Sequence, residues 1–285
     1  MRYNRFLAVI KSRHLFRNWL TAAMNYLLPR KEYIEVKCRT GRSCLRRDIY
    51  GRVVRNYYFG FINYFDCSEN EIYVNNQKLI IRQVDNYLDL GIAKFKSERQ
   101  TILEIFITRV YEKLNVCGRF VVDVGAYVGD SAIYFTLKGA SKIIAIEPHP
   151  GAYEEMLENI RLNNMGDKII PINAGLASKP GFINVKGVDI ESTVGFYHKP
   201  SSSGNVRALT LADIIMQFNI DVSNAVLKMD CEGCEYDVIL NDYEHVKFFR
   251  EVILEYHGDL TPLLNVMKKD FDCYIFERLL YCKRR

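Results

Sequence analysis

The sequence predicts an α/β protein whose doubly wound, mostly parallel sheet is preceded by a smaller, strand-rich region. Two observations favour this fold class. From residue 118 onward, short apolar runs alternate with amphipathic stretches of helical period, which is typical of parallel strands covered by helices on both faces. The last two apolar runs are joined by a short connection, so these two strands must pair antiparallel at the end of the chain.

The chain is interpreted as an N-terminal accessory region, residues 1–95, and an α/β domain, residues 96–285. In the accessory region, apolar residues recur at a period near 3.6 over residues 3–28, which predicts one basic amphipathic helix ending at Pro29. β-Branched and aromatic runs then predict several strands, with a turn at Asn75-Asn76. The predicted strands are Tyr33–Cys38, Arg52–Phe59, Glu71–Val74 and Leu79–Gln83.

A helix over residues 97–115, with Ser97 as its candidate N-cap, is predicted to open the α/β domain. The predicted strands of this domain are Phe120–Val124, Lys142–Ile146, Lys168–Asn173, Ala225–Asp230, Glu251–Tyr256, Phe271–Arg278 and Leu280–Lys283. The predicted helices are Asp130–Lys138, Tyr153–Asn163, Leu211–Phe218, Tyr236–Leu240 and Thr261–Lys269. Before the fourth strand, Gly181–Lys186 and Thr193–Tyr197 predict a hairpin and residues 200–204 a loop.

The positive charge of the chain is concentrated near its beginning. Residues 1–55 contain fourteen Lys or Arg and three acidic residues, a net charge of +11, whereas the whole chain carries +5. Such an excess indicates an anionic partner, for which RNA, a phosphorylated substrate and a membrane surface are the candidates. A basic amphipathic helix also suits contact with a membrane surface. A solvated basic face is an equally simple interpretation, and the oligomeric state stays open.

Eight cysteines are scattered through the chain, and no apolar stretch is long enough to span a membrane. Basic residues interrupt the N-terminal apolar run, so it lacks the pattern of a signal peptide. These features predict a cytoplasmic protein with reduced cysteines, associated with a membrane at most through its N-terminal helix. Cys231 and Cys234 form a C-x-x-C pair without a second pair at ligand spacing, so they are interpreted as small residues at a tight turn, and no metal site is predicted.

A glycine-containing loop joins the first predicted strand of the α/β domain to its helix. Gly125 lets the backbone turn tightly and approach a ligand, and Gly129 lets the helix N-terminus approach the sheet. That N-terminus presents free N–H groups to an anion. Asp123, at the strand end, is a candidate acceptor of hydrogen bonds from a cofactor ammonium or from backbone amides. The other candidate cofactor-binding residues of this segment are Ala126, Tyr127, Asp130 and Ser131.

A further carboxylate follows at the end of the next strand. Glu147 is placed to accept hydrogen bonds from both ribose hydroxyls of a nucleoside cofactor, and Pro148 and Asn173 complete the candidate cofactor-binding set. The same arrangement would suit NAD, but the dinucleotide fingerprint requires G-x-G-x-x-G, whereas this loop reads D-x-G-x-x-x-G. S-adenosylmethionine, whose methionine carboxylate would meet the helix N-terminus, is therefore preferred over NAD.

Three carboxylates cluster where the fourth core strand ends, in the segment Leu227–Glu235. Ligands bind at the carboxyl ends of parallel strands, and like charges this close cost stability unless paired, so the segment is interpreted as a site. Asp230 and Glu232 alternate along the chain and are candidate general bases, together with His257 at the end of the following strand. The residues themselves leave the choice among these three open.

These segments resemble the FkbM-type methyltransferases. The resemblance covers roughly residues 95–260, and it is carried by Asp123–Ser131, Glu147-Pro148, Leu227–Glu235 and Glu255–His257. It implies a Rossmann-like methyltransferase sheet, S-adenosylmethionine as the cofactor, and methylation of a hydroxyl oxygen, often on a sugar or a secondary metabolite. An antiparallel end to the sheet also suits methyltransferases better than dehydrogenases. The acceptor, a small molecule or a glycan, is not identified.

Two alternatives stay open. Residues 147–164 also look like archaeal-type tRNA guanine methyltransferases, and the basic N-terminal region would then bind RNA. Those enzymes usually carry an N-P-P-like segment where this chain has Asp230-Cys-Glu232-Gly, which favours the FkbM interpretation. The other alternative is a non-catalytic binding module that keeps the cofactor fold as a scaffold, and the acidic residues of the predicted cleft argue against it.

Overall fold

The computed structural model describes residues 4–28, 31–185, 190 and 202–285. The chain forms two compact units, an N-terminal unit that ends at Lys113 and a C-terminal unit that begins at Leu114. The boundary predicted between residues 95 and 96 therefore falls inside the N-terminal unit, whose last helix packs against an earlier helix of the same unit. Over the described ranges, no helix is long and apolar enough to cross a membrane.

Short helices and antiparallel strands make up the N-terminal unit. Its helices are α1 (Arg5–Lys11), α2 (Trp19–Leu27), α3 (Arg47–Phe59) and α4 (Gln100–Phe106). Its strands are β1 (Tyr33–Lys37), β2 (Arg42–Arg46), β3 (Phe65–Cys67), β4 (Glu71–Val74), β5 (Gln77–Ile80), β6 (Arg82–Val84), β7 (Tyr87–Asp89) and β8 (Lys94–Phe95). They form the antiparallel sheets β1-β2, β3-β4-β5 and β6-β7-β8, which confirms the predicted strand-rich region.

The single helix predicted over residues 3–28 is interrupted in the structure. A 3-10 turn at Ser12–His14 and further turn residues over 15–18 separate α1 from α2. The break places Asn18 beside β1, where its Oδ1 accepts from the amide of Lys37 at 2.7 Å and its Nδ2 donates to the carbonyl of Glu35 at 3.0 Å. These hydrogen bonds pair backbone groups at the edge of β1, and they stabilise the break over the continuous helix that the apolar period of the sequence predicts.

The strand predicted at Arg52–Phe59 is wrong, because this segment belongs to the helix α3. Its valines and aromatic residues favour strands in isolation. In the structure, burial recurs at helical spacing on Ile49, Val53 and neighbouring residues, so packing of that face decides the conformation. Gly60 ends the helix in the left-handed conformation, with φ of 74°.

The helix predicted over residues 97–115 is shorter than expected. It begins as α4 after the N-cap Arg99 rather than at Ser97. Arg109 has a φ of 60°, which a continuing right-handed helix does not allow. The residues beyond α4 therefore form turns instead of extending the helix.

The C-terminal unit alternates strands with helices. Its strands are β9 (Phe120–Val124), β10 (Lys142–Ile146), β11 (Ile169–Ile172), β12 (Gly175–Leu176), β13 (Gly181–Ile183), β14 (Val206–Leu209), β15 (Ala225–Met229), β16 (Glu251–Glu255), β17 (Phe271–Phe276) and β18 (Leu279–Arg284). Its helices are α5 (Asp130–Leu137), α6 (Pro150–Leu162), α7 (Leu211–Gln217), α8 (Cys234–Asn241), α9 (Tyr243–Val246) and α10 (Leu260–Met267).

Seven of these strands form the main sheet, in the order β11-β10-β9-β15-β16-β18-β17. The neighbours from β11 to β16 pair parallel, whereas β18 pairs antiparallel with both β16 and β17. The prediction of a mostly parallel sheet with an antiparallel C-terminal strand pair is confirmed.

A small sheet of order β12-β14-β13 lies between the third and fourth core strands in sequence. It includes β13, the first half of the predicted hairpin, which pairs antiparallel with β14. The predicted partner strand Thr193–Tyr197 lies outside the described residues, as do Lys186 and residues 200–201 of the predicted loop.

The direction of the strand order reverses beside β9. The chain proceeds from β9 to β10 and β11 on one side, and later to β15 and β16 on the other. Because crossover connections between parallel strands are right-handed, the helices of the two halves cover opposite faces of the sheet. The carboxyl ends of β9 and β15 therefore lie side by side at the reversal, which is where open α/β sheets bind ligands.

Candidate active site

The loops that follow β9 and β15 approach each other through their backbones. Gly125 has a φ of 71°, and a Cβ added there would lie 1.8 Å from the carbonyl oxygen of Asp230. Gly129, the N-cap of α5, has a φ of 82°, and a Cβ there would lie 2.9 Å from Cγ of Met156 on α6. Both positions require glycine, so the loop lies directly against the β15 loop and against α6.

A buried ion pair between Lys228 and Asp123 stabilises the glycine loop. Lys228 of β15 places its ammonium 3.0 Å from Oδ1 of Asp123, and the other oxygen of Asp123 accepts from the Ser131 hydroxyl at 2.6 Å. The same ammonium donates to the carbonyl of Gly125 at 2.6 Å. Burial lowers the pKa of Lys228, but the carboxylates of Asp123, Asp230 and Asp130 together outweigh it and raise that pKa above its ordinary value. Asp123 and Ser131 are thus engaged within the protein.

Glu147 links the end of β10 to the glycine loop. Its carboxylate accepts from the amide of Tyr127 at 2.9 Å and from the amide of His149 at 2.8 Å. Burial raises the pKa of Glu147 to about 7, although these two amide hydrogen bonds and Lys228 act in the opposite direction. At neutral pH the carboxyl group is therefore close to its midpoint of ionisation.

The remaining predicted cofactor-binding residues surround this carboxyl group. Asn173 donates its side-chain amide to the carbonyls of Glu147 at 2.9 Å and Pro148 at 3.2 Å. Ala126 and Asp130 are buried in the loop and at the start of α5. The structure therefore brings the whole predicted set to one edge of the sheet, and its role in binding a cofactor stays a prediction.

A second cluster lies at the carboxyl ends of β15 and β16. Nε2 of His257 lies 3.1 Å from Oε2 of Glu232 and 3.9 Å from Oδ1 of Asp230. Nδ1 of the same ring lies 3.0 Å from Oε1 of Glu235, which is completely buried. Both ring nitrogens thus face carboxylates, and the three residues predicted as candidate bases lie together.

Charge explains the state of this imidazole. Burial lowers the pKa of His257, but the hydrogen bond to Glu235 and the charges of Glu232 and Asp230 outweigh it and raise that pKa to about 9. His257 is consequently an imidazolium at neutral pH, and its single charge offsets part of the charge of the three carboxylates that face it. Among the described residues, the ligand atoms of Asp230, Glu232 and His257 lie within 4.8 Å of one another, a separation that a divalent cation would also accept.

A family model of the methyltransferase FkbM domain matches residues 123–272, more than half of the chain. The chain belongs to the FkbM methyltransferase family. The matched range begins at Asp123 and includes both the glycine loop and the His257 cluster. The family resemblance predicted from the sequence motifs is confirmed.

Similar proteins include two named methyltransferases. Methyltransferase sdnD of Sordaria araneosa is 28% identical, and the match covers 56% of this chain and 75% of that protein. Hexuronic acid methyltransferase AglP of Haloferax volcanii is 27% identical, and the match covers 49% of this chain and 56% of that protein.

Among solved structures, methyltransferase FkbM from Methylobacillus flagellatus KT is 19% identical to this chain, with a TM-score of 0.43. The match covers 65% of this chain and 48% of the Methylobacillus protein. The chain thus spans about half the length of AglP and of the Methylobacillus protein.

Glu235 belongs to the acidic cluster predicted from the sequence of this FkbM family member, but the sequence predicted no role for it. In the structure, Glu235 stands at the first turn of α8 and accepts from the amides of Gly233 at 2.8 Å and His257 at 3.1 Å, besides the ring nitrogen. Lys228, in the same segment, forms its ion pair with Asp123, and the charge of Asp230 also raises its pKa. The position of Glu235 after the tight turn is the signal that could have identified it.

The prediction of reduced cysteines is wrong. Disulfides join Cys38 to Cys67, Cys231 to Cys234, and Cys273 to Cys282, whereas Cys44 and Cys117 are free and exposed. Cys273 and Cys282 are register partners on the neighbouring strands β17 and β18, so the fold itself brings them together. The C-x-x-C pair spans the tight turn before α8, as expected, but as a disulfide. The cysteine argument for a reducing compartment therefore does not hold.

Proposed function

We propose that this FkbM family member is an S-adenosylmethionine-dependent methyltransferase that methylates a hydroxyl oxygen of a sugar, a glycan or a small metabolite. One observation carries the proposal: the backbone contact between Gly125 and Asp230. A Cβ at Gly125 would lie 1.8 Å from the Asp230 carbonyl oxygen, so the predicted cofactor loop and the predicted proton-accepting cluster adjoin each other. A donor and an acceptor held there would meet at one place.

The donor set of the glycine loop fits the chemistry of S-adenosylmethionine. The N-terminus of α5 offers amide groups to a carboxylate. Glu147 accepts two amide hydrogen bonds, and a carboxylate has about four acceptor positions, so capacity for ribose hydroxyls remains. When bound, the cofactor supplies an electrophilic methyl group.

The space at this edge of the sheet is small. A cavity of about 30 Å³ lies between the loops, and its lining includes Gly125, Pro148, Gly175 and Cys231. Ile183 of β13 covers Gly175, since a Cβ at Gly175 would lie 2.5 Å from its Cδ1. A nucleoside cofactor is larger than this cavity, which would therefore hold only part of it.

The charges of the His257 cluster indicate how the acceptor proton is removed. An alcohol is a poor nucleophile, so a positioned base must take its proton as oxygen attacks the methyl carbon. His257 has a pKa of about 9 and already carries a proton at neutral pH. Asp230 or Glu232 is accordingly the base at neutral pH, and His257 holds these carboxylates in place.

The choice of acceptor class rests on the family and on one relative. AglP is named for methylation of hexuronic acids, which are sugars with hydroxyl groups and one carboxyl group. A sugar acceptor is therefore the first class to test here. An RNA acceptor is the alternative, because of the positive charge in residues 1–55.

The first experiment is isothermal titration of the full chain with S-adenosylmethionine, S-adenosylhomocysteine and NAD. We expect binding of the first two, weakened in Glu147→Ala, and no binding of NAD. Absence of binding by both sulfur ligands would overturn the cofactor assignment. Transfer of a labelled methyl group to uronic acid sugars, neutral glycans and tRNA would then identify the acceptor.

Two variants test the base assignment. Asp230→Asn and Glu232→Gln keep the shape of each side chain and remove its charge, so the variant that lacks the base loses roughly 100-fold or more in kcat at unchanged cofactor affinity. Full turnover in both variants would refute a carboxylate base.

A further inference from the structure

A cavity in the N-terminal unit is lined almost wholly by basic and small residues. Its volume is about 310 Å³, and its lining consists of Arg17, Lys37, Arg39 and Arg42 together with Cys38, Thr40 and Gly41. We call this feature the cationic cavity. Its four basic side chains come from the segment before α2, the end of β1, the β1–β2 loop and the start of β2.

A disulfide and hydrogen bonds to β3 anchor the β1–β2 loop that carries these cations. Cys38, at its start, is bonded to Cys67 of β3. The buried carboxylate of Asp66 accepts from the amides of Arg39 at 2.9 Å and Thr40 at 3.1 Å. These contacts fix the loop backbone, so a ligand would need to order only the cationic side chains on binding.

No ion pair among the described residues neutralises the four cations of the cationic cavity. Within the described part of the chain, Arg17, Lys37, Arg39 and Arg42 form no ion pair with a carboxylate, in contrast to Arg46, which pairs with Asp48 at 2.8 Å. Arg17 donates to the carbonyl of Arg39 at 3.0 Å, which brings two guanidinium-bearing residues together. Like charges in one cavity repel each other, and a bound anion would relieve that repulsion.

We propose that the cationic cavity of the N-terminal unit, formed by Arg17, Lys37, Arg39 and Arg42, binds a phosphate-type oxyanion with at least two negative charges. Guanidinium groups match phosphate oxygens in pairs, and four cations exceed what a single carboxylate would balance. The volume of about 310 Å³ lies at the lower end of ligand cavities and suits a phosphoryl or diphosphoryl group with a small substituent. This inference does not depend on the proposed methyl transfer.

The lining argues against an extended nucleic acid as the ligand. Single-stranded nucleic acids are held by aromatic side chains that stack on bases, besides the positive charge. The cationic cavity has no aromatic residue in its lining. It also lacks an apolar wall for an acyl chain, so a phospholipid would enter only through its headgroup.

The test is isothermal titration of the full chain with sodium pyrophosphate at low and high salt. We expect saturable binding that salt weakens, reduced about tenfold or more in Arg39→Gln/Arg42→Gln, because each lost guanidinium removes charge-assisted hydrogen bonds. Lys31→Gln is the control, since Lys31 is an exposed cation before the start of β1 and outside the cavity lining. The side chains of Arg39 and Arg42 hold no hydrogen bond among the described residues, so the double variant should keep its melting temperature.

A second arm separates the sources of the phosphate group. Co-sedimentation with phosphatidylcholine vesicles, with and without phosphatidic acid, measures binding to a lipid headgroup. Binding to the anionic vesicles that pyrophosphate displaces and the double variant loses would support the same site with a lipid ligand. No binding of pyrophosphate or anionic vesicles, equal binding in the double variant, or binding of RNA alone would overturn the proposal.

Discussion

Glu235 holds His257 at two points: its Oε1 accepts from the backbone amide of His257 at 3.1 Å and faces Nδ1 of the ring at 3.0 Å. The other oxygen of Glu235 accepts from the amide of Gly233 at 2.8 Å. A completely buried carboxylate thus ties the end of β16 to the turn before α8. It also fixes a proton on Nδ1 and directs Nε2 towards Glu232.

Replacement Glu235→Gln tests this positioning role. The amide keeps the size of the side chain but removes the negative charge that raises the pKa of His257. We expect that pKa to fall from about 9 towards its ordinary value, and kcat to fall roughly tenfold or more with little change in KM. NMR titration of the His257 ring measures the pKa, and Glu244→Gln on α9 is the exposed control. An unchanged His257 pKa would show that Glu235 does not act through the ring.

The stability of the protein should depend on the protonation of His257. Its folded pKa of about 9 lies above the ordinary value of 6.5, so its stabilising contribution is complete below pH about 6.5 and disappears as the pH rises through 9. We expect a loss on the order of 1–2 kcal/mol in the free energy of unfolding over this interval, allowing for solvent screening. Urea unfolding between pH 6 and 10 measures it. In His257→Gln the free energy of unfolding should change less with pH over this interval. The same pH dependence in both proteins would show that it does not come from His257.

The strands of the central sheet could be predicted from the sequence because their signal is local. Phe120–Val124 and Lys142–Ile146 are mainly apolar runs of five residues, and the structure gives the same bounds for β9 and β10. The candidate site residues follow these strands directly, so their meeting at one sheet edge could also be predicted. The antiparallel end of the sheet followed from a short connection.

The features that were missed depend on contacts between distant parts of the chain. The break after α1 is stabilised by hydrogen bonds from Asn18 to β1, and nothing in the helical period indicates that partner. The disulfide between Cys38 and Cys67 joins residues that are 29 positions apart, and their proximity comes from the packing of the β1–β2 loop on β3. Glu235 is one of three nearby carboxylates, and its complete burial, which depends on the packing of α8, distinguishes it most clearly from the other two.

The disulfides can be verified chemically. Peptide mapping without reduction should recover the three linked pairs and leave Cys44 and Cys117 open to alkylation. Cys38→Ser/Cys67→Ser should lower the free energy of unfolding by about 3–4 kcal/mol, because the bond removes loop-closure entropy from the unfolded chain. Recovery of eight alkylated cysteines from non-reduced, unfolded protein would refute all three bonds.

Cofactor affinity should depend on the ionisation of Glu147. Its pKa of about 7 means that the carboxylate becomes protonated as the pH falls through neutrality, which removes an acceptor for ribose hydroxyls. We expect S-adenosylmethionine to bind more weakly at pH 6 than at pH 8, with Glu147→Gln weaker by roughly tenfold and independent of pH. Isothermal titration measures both. Glu154→Gln, an exposed position of α6, is the control, and a pH effect that persists in Glu147→Gln would assign it to another group.

Two glycines with the same backbone angle allow the contact between the β9 and β15 loops to be measured. Gly125 and Gly118 both have a φ of 71°, but an added Cβ meets the Asp230 carbonyl at 1.8 Å in the first and nothing within 4 Å in the second. Gly118→Ala should therefore cost only the left-handed strain, about 1 kcal/mol. Gly125→Ala must also displace the β15 backbone, so we expect a loss of about 3 kcal/mol or more in the free energy of unfolding. Urea unfolding of both variants gives the difference, and equal costs would mean that the two loops are not in contact.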